Sequence, residues 1–310
     1  MSDTCGAVKF RYSGDMQIKA RREAALSRKQ RPAVGCFKQF LLRRNEMPTQ
    51  ITIAAAASLK NVLTDPAFQT ALLSAKGVTL APEPASKYDS SGKLAEDIAA
   101  ERITPDVFIS ADADLMPPLF DDEFIDTPDN VVRNNLVLIK NRAQGLPAPI
   151  ISFGQVNETN TTRIKVYIAD YQNYKVPAGM YAQEAFDYFG NWDNDGGAED
   201  IALTTDMATV TVVLNTVAGL NSNYPVTCPT IGAVYFTDAA SFSVIGSPNP
   251  NPVEIIAVAP STVNDKIIYA AAALKASQVS TAAQAFVDFV ASADAWPFFL
   301  KWGFIPLNPI

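Results

Sequence analysis

Short apolar runs alternate with segments of helical periodicity from Ile51 onwards, and this alternation constrains the fold more than any other feature. Residues 105–111, 135–139 and 164–169 have the length and apolar content of buried strands, whereas Leu94 and Ile98 recur at helical spacing. Strands that alternate with helices are typical of parallel sheets joined by crossover helices. The sequence therefore predicts an α/β fold.

The same pattern falls into two α/β blocks, which are joined near residues 132–136 and again near residues 250–255. A chain that leaves one block and later returns to it crosses twice, which is the geometry of a hinge. The expected organisation is a disordered basic leader over 1–49, a first lobe over 50–134 together with 253–310, and a second lobe over 135–252.

Charge and residue usage exclude several classes of function. Residues 1–49 contain 11 Lys and Arg against 4 Asp and Glu, whereas the remainder contains 14 against 28. An acidic body disfavours a nucleic-acid partner. Histidine is absent, which removes the commonest general base and the commonest zinc ligand, and the three cysteines have no metal-ligand spacing. The leader also lacks the apolar core of a secretory signal.

Two turns of small residues each carry a serine. Ser58 follows a short β-type run over 51–54, and Ser91 opens an amphipathic helix. A serine hydroxyl beside the free N–H groups of a helix start forms a neutral site for an anion. A single serine at such a position is more often an ordinary helix cap, so the interpretation depends on the motifs around it.

Those motifs occur in a fixed order over about residues 50–310. They are Ala-Ala-Ala-Ser58-Leu, Ser-Ser91-Gly-Lys-Leu-Ala, Pro-Asp-Val-Phe-Ile-Ser-Ala-Asp112, Asn-Leu-Val-Leu-Ile139, Val-Pro-Ala178-Gly-Met-Tyr-Ala-Gln-Glu-Ala, Gly-Ala-Val-Tyr235-Phe-Thr-Asp-Ala and a terminal Ala-Phe-Val-Asp-Phe followed by Trp-Gly-Phe. The ordered set resembles the molybdate- and tungstate-binding proteins of ABC importers, within the type II periplasmic binding fold. The resemblance implies two lobes, each a mostly parallel sheet flanked by helices, that close on the anion about a two-crossing hinge.

The resemblance also implies a set of ligand residues. Ser58 and Ser91 would each give a hydroxyl and a backbone N–H, Ala178 and Met207 a backbone N–H, and Tyr235 its phenol O–H. It implies no catalytic residue, no cofactor and no direct cation ligand. The expected protein is a monomer that delivers molybdate or tungstate to an ABC permease, in a periplasmic or extracellular location, or a cytoplasmic one if the leader is genuine.

Elementary chemistry agrees with this donor set, because a tetrahedral dianion offers only acceptors and so needs donors and no carboxylate. The chain departs from the family pattern in the second lobe. The turn over 170–175 is about two residues longer, the segment over 219–230 is lengthened and holds Cys228, and Met207 is bulky. A helix is predicted from near residue 205 to residue 217.

Two other functions stay open at the level of sequence. One is an enzyme of the same fold that acts on a small organic acid, with Glu, Asp or Lys as its acid or base. The other is an intracellular oxyanion buffer or sensor, since no export signal is visible. The acids at 106, 112, 114, 206 and 238 are interpreted as caps rather than as a metal-binding set.

Overall fold

The computed structural model describes residues 47–157, 164–191, 203–223, 228–243 and 251–307. Nearly all of the predicted leader, residues 1–46, lies outside the described residues. The first strand begins at Thr49, where the leader was expected to end. Within the described residues no helix is both long and apolar enough to cross a membrane.

Two sheets carry most of the strands. The first has the order β13-β6-β12-β5-β2-β4 and stands beside a two-stranded pair, β1-β3. The strands of these two groups are β1 (Thr49–Ile51), β2 (Ile53–Ala56), β3 (Val78–Leu80), β4 (Lys87–Asp89), β5 (Val107–Ser110), β6 (Asp129–Arg133), β12 (Ile268–Ala273) and β13 (Ile305–Pro306). Only β12 and the two-residue β13 run against the other strands of the first sheet.

The second sheet has the order β11-β7-β10-β8-β9. Its strands are β7 (Leu136–Asn141), β8 (Lys165–Ala169), β9 (Leu203–Met207), β10 (Thr230–Tyr235) and β11 (Val253–Val258). Only β7 runs against the other four, since it is antiparallel to both of its neighbours. The α/β class with mostly parallel strand direction is therefore confirmed, with one antiparallel strand near the middle of each sheet.

The chain passes between the sheets at Asn134 and Asn135, which separate β6 from β7. This is where the sequence analysis placed the first boundary between the lobes. The return differs in position, because β11 pairs with β7 in the second sheet although residues 253–258 were assigned to the first lobe. The second passage lies at residues 259–267, between β11 and β12.

Helices connect the strands and cover the sheets. They are α1 (Lys60–Leu63), α2 (Pro66–Lys76), α3 (Ser91–Ala99), α4 (Met116–Asp121), α5 (Tyr171–Tyr174), α6 (Pro177–Asp187), α7 (Val210–Val217), α8 (Phe236–Ser241), α9 (Ser261–Asn264), α10 (Ser280–Val290) and α11 (Trp296–Lys301). Local signals define α2 at both ends. Asp65 caps its first turn by accepting from the Ala67 N–H, and Gly77 ends it in the left-handed conformation with φ 67°.

Aromatic packing anchors the C-terminal part of the chain to the first sheet. Phe68 of α2 is fully buried and meets Phe289, Phe298 and Phe299 edge to face, with ring centroids 5.6, 5.8 and 6.4 Å away. Edge-to-face pairs add to the free energy of burial. The aromatic tail that the sequence shows near its end therefore completes the core behind β1 and β3.

Truncating this cluster should destabilise the fold strongly. Phe68→Ala is expected to lower the free energy of unfolding by about 3–5 kcal/mol, because it leaves a cavity among three aromatic rings. Phe120→Ala is the matched control, since Phe120 is 40% exposed, and it should cost under about 1 kcal/mol. Urea denaturation of both variants measures the difference; equal losses would contradict the assigned core.

Candidate oxyanion site between the two sheets

A cavity of about 280 Å³ lies where the carboxyl ends of strands from both sheets meet. In open α/β sheets this is the edge at which ligands bind. The cavity is lined by Ala56, Ala57, Ser58, Lys60, Tyr88, Asp89, Ser90, Ser91, Ala111, Val176, Pro177, Thr209, Val210, Thr211, Tyr235 and Asp238. Three of the five predicted ligand residues, Ser58, Ser91 and Tyr235, thus lie on one cavity.

Ser58 occupies a short 3-10 turn, Ala57–Leu59, directly after β2. Its Oγ is 2.8 Å from the Tyr269 hydroxyl, which also accepts a hydrogen bond of 3.1 Å from Asn134 Nδ2. An amide nitrogen only donates, so Tyr269 keeps its own proton, and either hydroxyl of the Ser58–Tyr269 pair can be the donor. With Tyr269 donating, the Ser58 proton is left for a ligand.

Ser91 is the first residue of α3 and is buried. Its Oγ accepts the Ala111 N–H at 2.9 Å, which links the helix start to the end of β5. The hydroxyl proton remains available, and the backbone N–H groups of a first helical turn have no acceptor within their own helix. Ser91 therefore presents two donors at the cavity, as its motif predicted for a ligand residue.

Tyr235 ends β10, and its ring is almost wholly buried. Its hydroxyl has no hydrogen-bond partner among the described residues. Burial raises the pKa of this phenol well above its ordinary value, so the group is a neutral O–H donor. Four buried side-chain polar atoms of the described residues lack a partner, and two of these, Tyr235 Oη and Asp238 Oδ2, belong to residues that line the cavity.

Ala178 and Met207 are fully buried, and neither lines the cavity. Ala178 is the second residue of α6, directly after the lining residue Pro177, so its N–H belongs to the unpaired first turn. Met207 is the last residue of β9 and pairs with Ala169. The prediction of a helix from near residue 205 is wrong, because α7 begins only at Val210.

The structure therefore indicates a segment that the sequence analysis missed. Thr209 caps α7 by accepting the Val212 N–H at 3.2 Å, and Thr209, Val210 and Thr211 all line the cavity. A threonine before an apolar run is a recognised start signal for a helix. That signal was overlooked because the preceding residues were assigned to the same helix.

Contacts between the two blocks surround the cavity. Ser90 Oγ donates to the Lys175 carbonyl at 2.6 Å, and Asn61 Nδ2 donates to Ser241 Oγ at 3.1 Å. A Cβ placed on Gly92 would overlap the Lys175 side chain and lie 2.6 Å from its carbonyl oxygen. The lengthened turn over 170–175, noted above as a departure from the family, is thus the part that closes on the start of α3.

Acids and bases around the cavity are neutralised by local pairs. Lys60 forms an ion pair of 2.5 Å with Glu83, and Asp89 one of 2.7 Å with Lys93. Asp238 has no such partner, and burial raises its pKa to about 7. Among the described residues no group of His, Cys, Asp and Glu has the arrangement of a metal site.

Comparison with known proteins agrees with this geometry. The family model for bacterial extracellular solute-binding proteins matches residues 51–305. The chain is 29% identical over 278 residues to the molybdate-binding protein ModA of Escherichia coli, covering 87% of this chain and 95% of that one.

Two solved structures share the fold. The substrate-binding domain of a putative molybdenum ABC transporter from Clostridium difficile has a TM-score of 0.57 at 24% identity, over 84% of this chain and 100% of that one. The sulfate-binding protein SubI of Mycobacterium tuberculosis has a TM-score of 0.59 at 16% identity, over 84% and 88% of the two chains.

A mixed α/β chain with two sheets and a cavity at their carboxyl edges is the architecture of a solute-binding protein. This chain belongs to the family of bacterial extracellular solute-binding proteins. The resemblance to molybdate- and tungstate-binding proteins that the motifs indicated is confirmed by these relatives.

The unpaired Tyr235 hydroxyl should lower the stability of the ligand-free protein. Tyr235→Phe removes a buried, unsatisfied O–H, so the free energy of unfolding should stay constant or rise by about 1–3 kcal/mol. Tyr181→Phe is the matched control, because the Tyr181 hydroxyl bonds to Asp112 Oδ1 and the Lys266 carbonyl, both at 3.2 Å. The free energy of unfolding of Tyr181→Phe should fall by about 1 kcal/mol. Urea denaturation without ligand measures the free energy of unfolding of both variants. An equal loss in both would contradict the assignment of the Tyr235 hydroxyl as unpaired.

Proposed function

We propose that this protein binds a tetrahedral oxyanion, molybdate or tungstate, in the cavity between its two sheets and delivers it to an ABC permease. The observation that carries the proposal is the set of hydroxyls whose protons remain available there. Ser91 already accepts from the Ala111 N–H, Ser58 keeps its proton for a ligand when Tyr269 donates to it, and Tyr235 has no partner among the described residues. These groups are neutral donors, which is the chemistry that a dianion requires.

Backbone N–H groups complete the proposed site from the second sheet. Ala178 lies in the first turn of α6, and Val210 and Thr211 lie in the first turn of α7. Helix starts carry partial positive charge and suit anions. Because Met207 lies on β9, we assign its expected role to these first residues of α7, with the Thr209 hydroxyl as a further donor.

The proposed donors are sufficient for tight binding. A hydrogen bond to a charged group contributes roughly 1.5–3 kcal/mol. A dissociation constant of about 1 μM corresponds to roughly −8 kcal/mol, and association itself opposes binding by several kcal/mol. The hydroxyls of Ser58, Ser91 and Tyr235, together with the N–H groups at the starts of α6 and α7, supply this sum. Exclusion of water when the two blocks close strengthens each bond further, since the local dielectric constant falls.

The proposed mechanism is hinge closure about the two chain passages. The proposed first lobe comprises 50–134 and the chain after the second passage, and the proposed second lobe comprises 135–258. The membership of β11 in the second sheet supports a second hinge at 259–267 rather than at 252/253. Ser90–Lys175 and Asn61–Ser241 are then contacts of the closed form. A monomeric state and a location outside the cytoplasmic membrane complete the proposal.

The two alternative functions that the sequence left open, an enzyme and an intracellular buffer or sensor, can each be tested. The relatives reported above are binding proteins by name, and we propose no catalysis here. Conversion of an organic acid by the purified protein would reverse that choice. An intracellular buffer or sensor would be recovered from the cytoplasmic fraction, whereas the transport role predicts a mature chain outside the membrane.

Removing the two serine hydroxyls should abolish anion binding. Ser58→Ala and Ser91→Ala are each expected to weaken molybdate binding about tenfold to a hundredfold, from roughly 1.5–3 kcal/mol per charge-assisted bond. The double variant should show no binding at micromolar concentrations. Calorimetric titration with molybdate, tungstate, sulfate and phosphate measures the affinities.

Ser292→Ala is the matched control, because Ser292 bonds to the Phe289 carbonyl and does not line the cavity. It should bind like the unmodified protein. If the unmodified protein binds neither molybdate nor tungstate at micromolar concentrations, the proposed function is wrong.

Closure itself can be tested without removing any donor. Gly92→Ala inserts a methyl group against Lys175, so the two blocks cannot approach as closely and the donors of the second sheet move away from the ligand. We expect at least a tenfold loss of affinity, which corresponds to about 1.4 kcal/mol. The same calorimetric titration measures it.

Gly145→Ala is the control, because nothing lies within 4 Å of the Cβ it would add. An unchanged affinity in Gly92→Ala would contradict a closed form in which α3 meets Lys175.

A further inference from the structure

The oxyanion cavity contains a carboxyl group that the donor chemistry does not explain. Asp238 lines the cavity together with Ser58, Ser91 and Tyr235. Its Oδ2 is buried and has no hydrogen-bond partner among the described residues. A dianion offers only acceptors, and an ionised carboxylate also offers only acceptors. The two would repel each other inside one small cavity.

No cation on the surrounding elements compensates Asp238. Its own helix, α8, has no other charged residue, and α7, which packs against it, has none. Strands β7 and β11 also pack against α8, and their charged side chains, Lys140 and Glu254, pair with each other at 2.9 Å.

Neither the phenols of the cavity nor the charged residues at its rim compensate the charge of Asp238. Tyr235 at the end of β10 and Tyr269 on β12 both have pKa values raised by burial, so they stay neutral. At the rim, Lys60 forms an ion pair with Glu83, and Asp89 forms one with Lys93.

We propose that Asp238 binds the oxyanion in its protonated form, donating its O–H to an anion oxygen, so that binding of the anion is coupled to the uptake of one proton. This inference rests on the function proposed above. It resolves the conflict between a carboxyl group and a dianion in one cavity, because a neutral carboxyl supplies a donor where a carboxylate would supply repulsion. A neutral carboxyl also avoids the free-energy cost of burying a charged Oδ2 away from water.

The coupling has a definite sign. Burial places the pKa of Asp238 at about 7 in the ligand-free protein, and a bound dianion raises it further. Below the ligand-free value the carboxyl is already protonated, so the affinity is constant and no proton is taken up. Above that value each binding event takes up one proton, and the affinity falls roughly tenfold per pH unit until the pKa of the complex is reached. Molybdate itself carries no proton at neutral pH or above.

The test is calorimetric titration of the full chain with sodium molybdate, from one pH unit below the Asp238 pKa to two units above it. At each pH, two buffers of different ionisation enthalpy report the number of protons taken up. The unmodified protein should show an uptake that rises from zero towards one, with an affinity that falls as the pH rises. Asp238→Asn keeps a neutral donor of the same shape, so it should bind with a constant affinity and no proton uptake.

Glu254→Gln is the matched control, since it removes a carboxyl from a strand that packs against α8 without altering the cavity. It should retain the proton uptake of the unmodified protein. Tight molybdate binding with no proton uptake at any pH would overturn the role of Asp238 and leave the proposed function standing. Proton uptake that persists in Asp238→Asn would also overturn it. Failure to bind molybdate at every pH would overturn both.

Discussion

Buried hydroxyls whose protons have no acceptor are the constraint on which the proposed site depends. Folded proteins pair nearly all of their buried polar groups, so exceptions need an explanation. Here the buried Tyr235 hydroxyl has no partner among the described residues, and the buried Ser91 uses its oxygen as an acceptor while its proton stays available. A set of donors that converges without acceptors is stable only when something else supplies the acceptors. The oxyanion proposed above would supply them.

The fold explains why these donors meet. The strands that carry the site end at the edge where the cavity lies, and a turn or a helix start follows each of them. Ser58 follows β2, Ser91 follows β4, and Tyr235 ends β10, so one geometric rule brings distant parts of the chain to one cavity. Hydrogen bonds behind these donors are equally important for their orientation. Asn134 lies in the first chain passage and Tyr269 directly after the second, and their hydrogen bonds orient the Ser58 hydroxyl.

Local patterns were enough to predict the fold class and to select Ser58 and Ser91 as candidate residues on the first sheet. Ser91 opens a helix whose apolar periodicity is visible in nine residues, and its motif predicted the helix start. Met207 shows where local reasoning failed. The run from Leu203 to Val217 is rich in β-branched residues, which suit a strand as well as a helix, and pairing with β8 decided the outcome. The passage at 259–267 depended likewise on β11 pairing with a strand more than a hundred residues earlier.

Contacts between residues far apart in sequence were beyond local prediction for the same reason. Nothing near Gly92 indicates that Lys175 will lie against it, yet this contact determines how closely the two blocks approach. Asp238 is the most consequential case. From sequence it was interpreted as a cap near a helix start, but the fold places Asp238 at the cavity and leaves its buried Oδ2 without a partner among the described residues. Its neutral form adds a donor to the site, whereas its ionised form opposes the ligand. The same residue can therefore favour binding in acidic surroundings and release in alkaline ones, which makes the affinity a property of pH as well as of geometry.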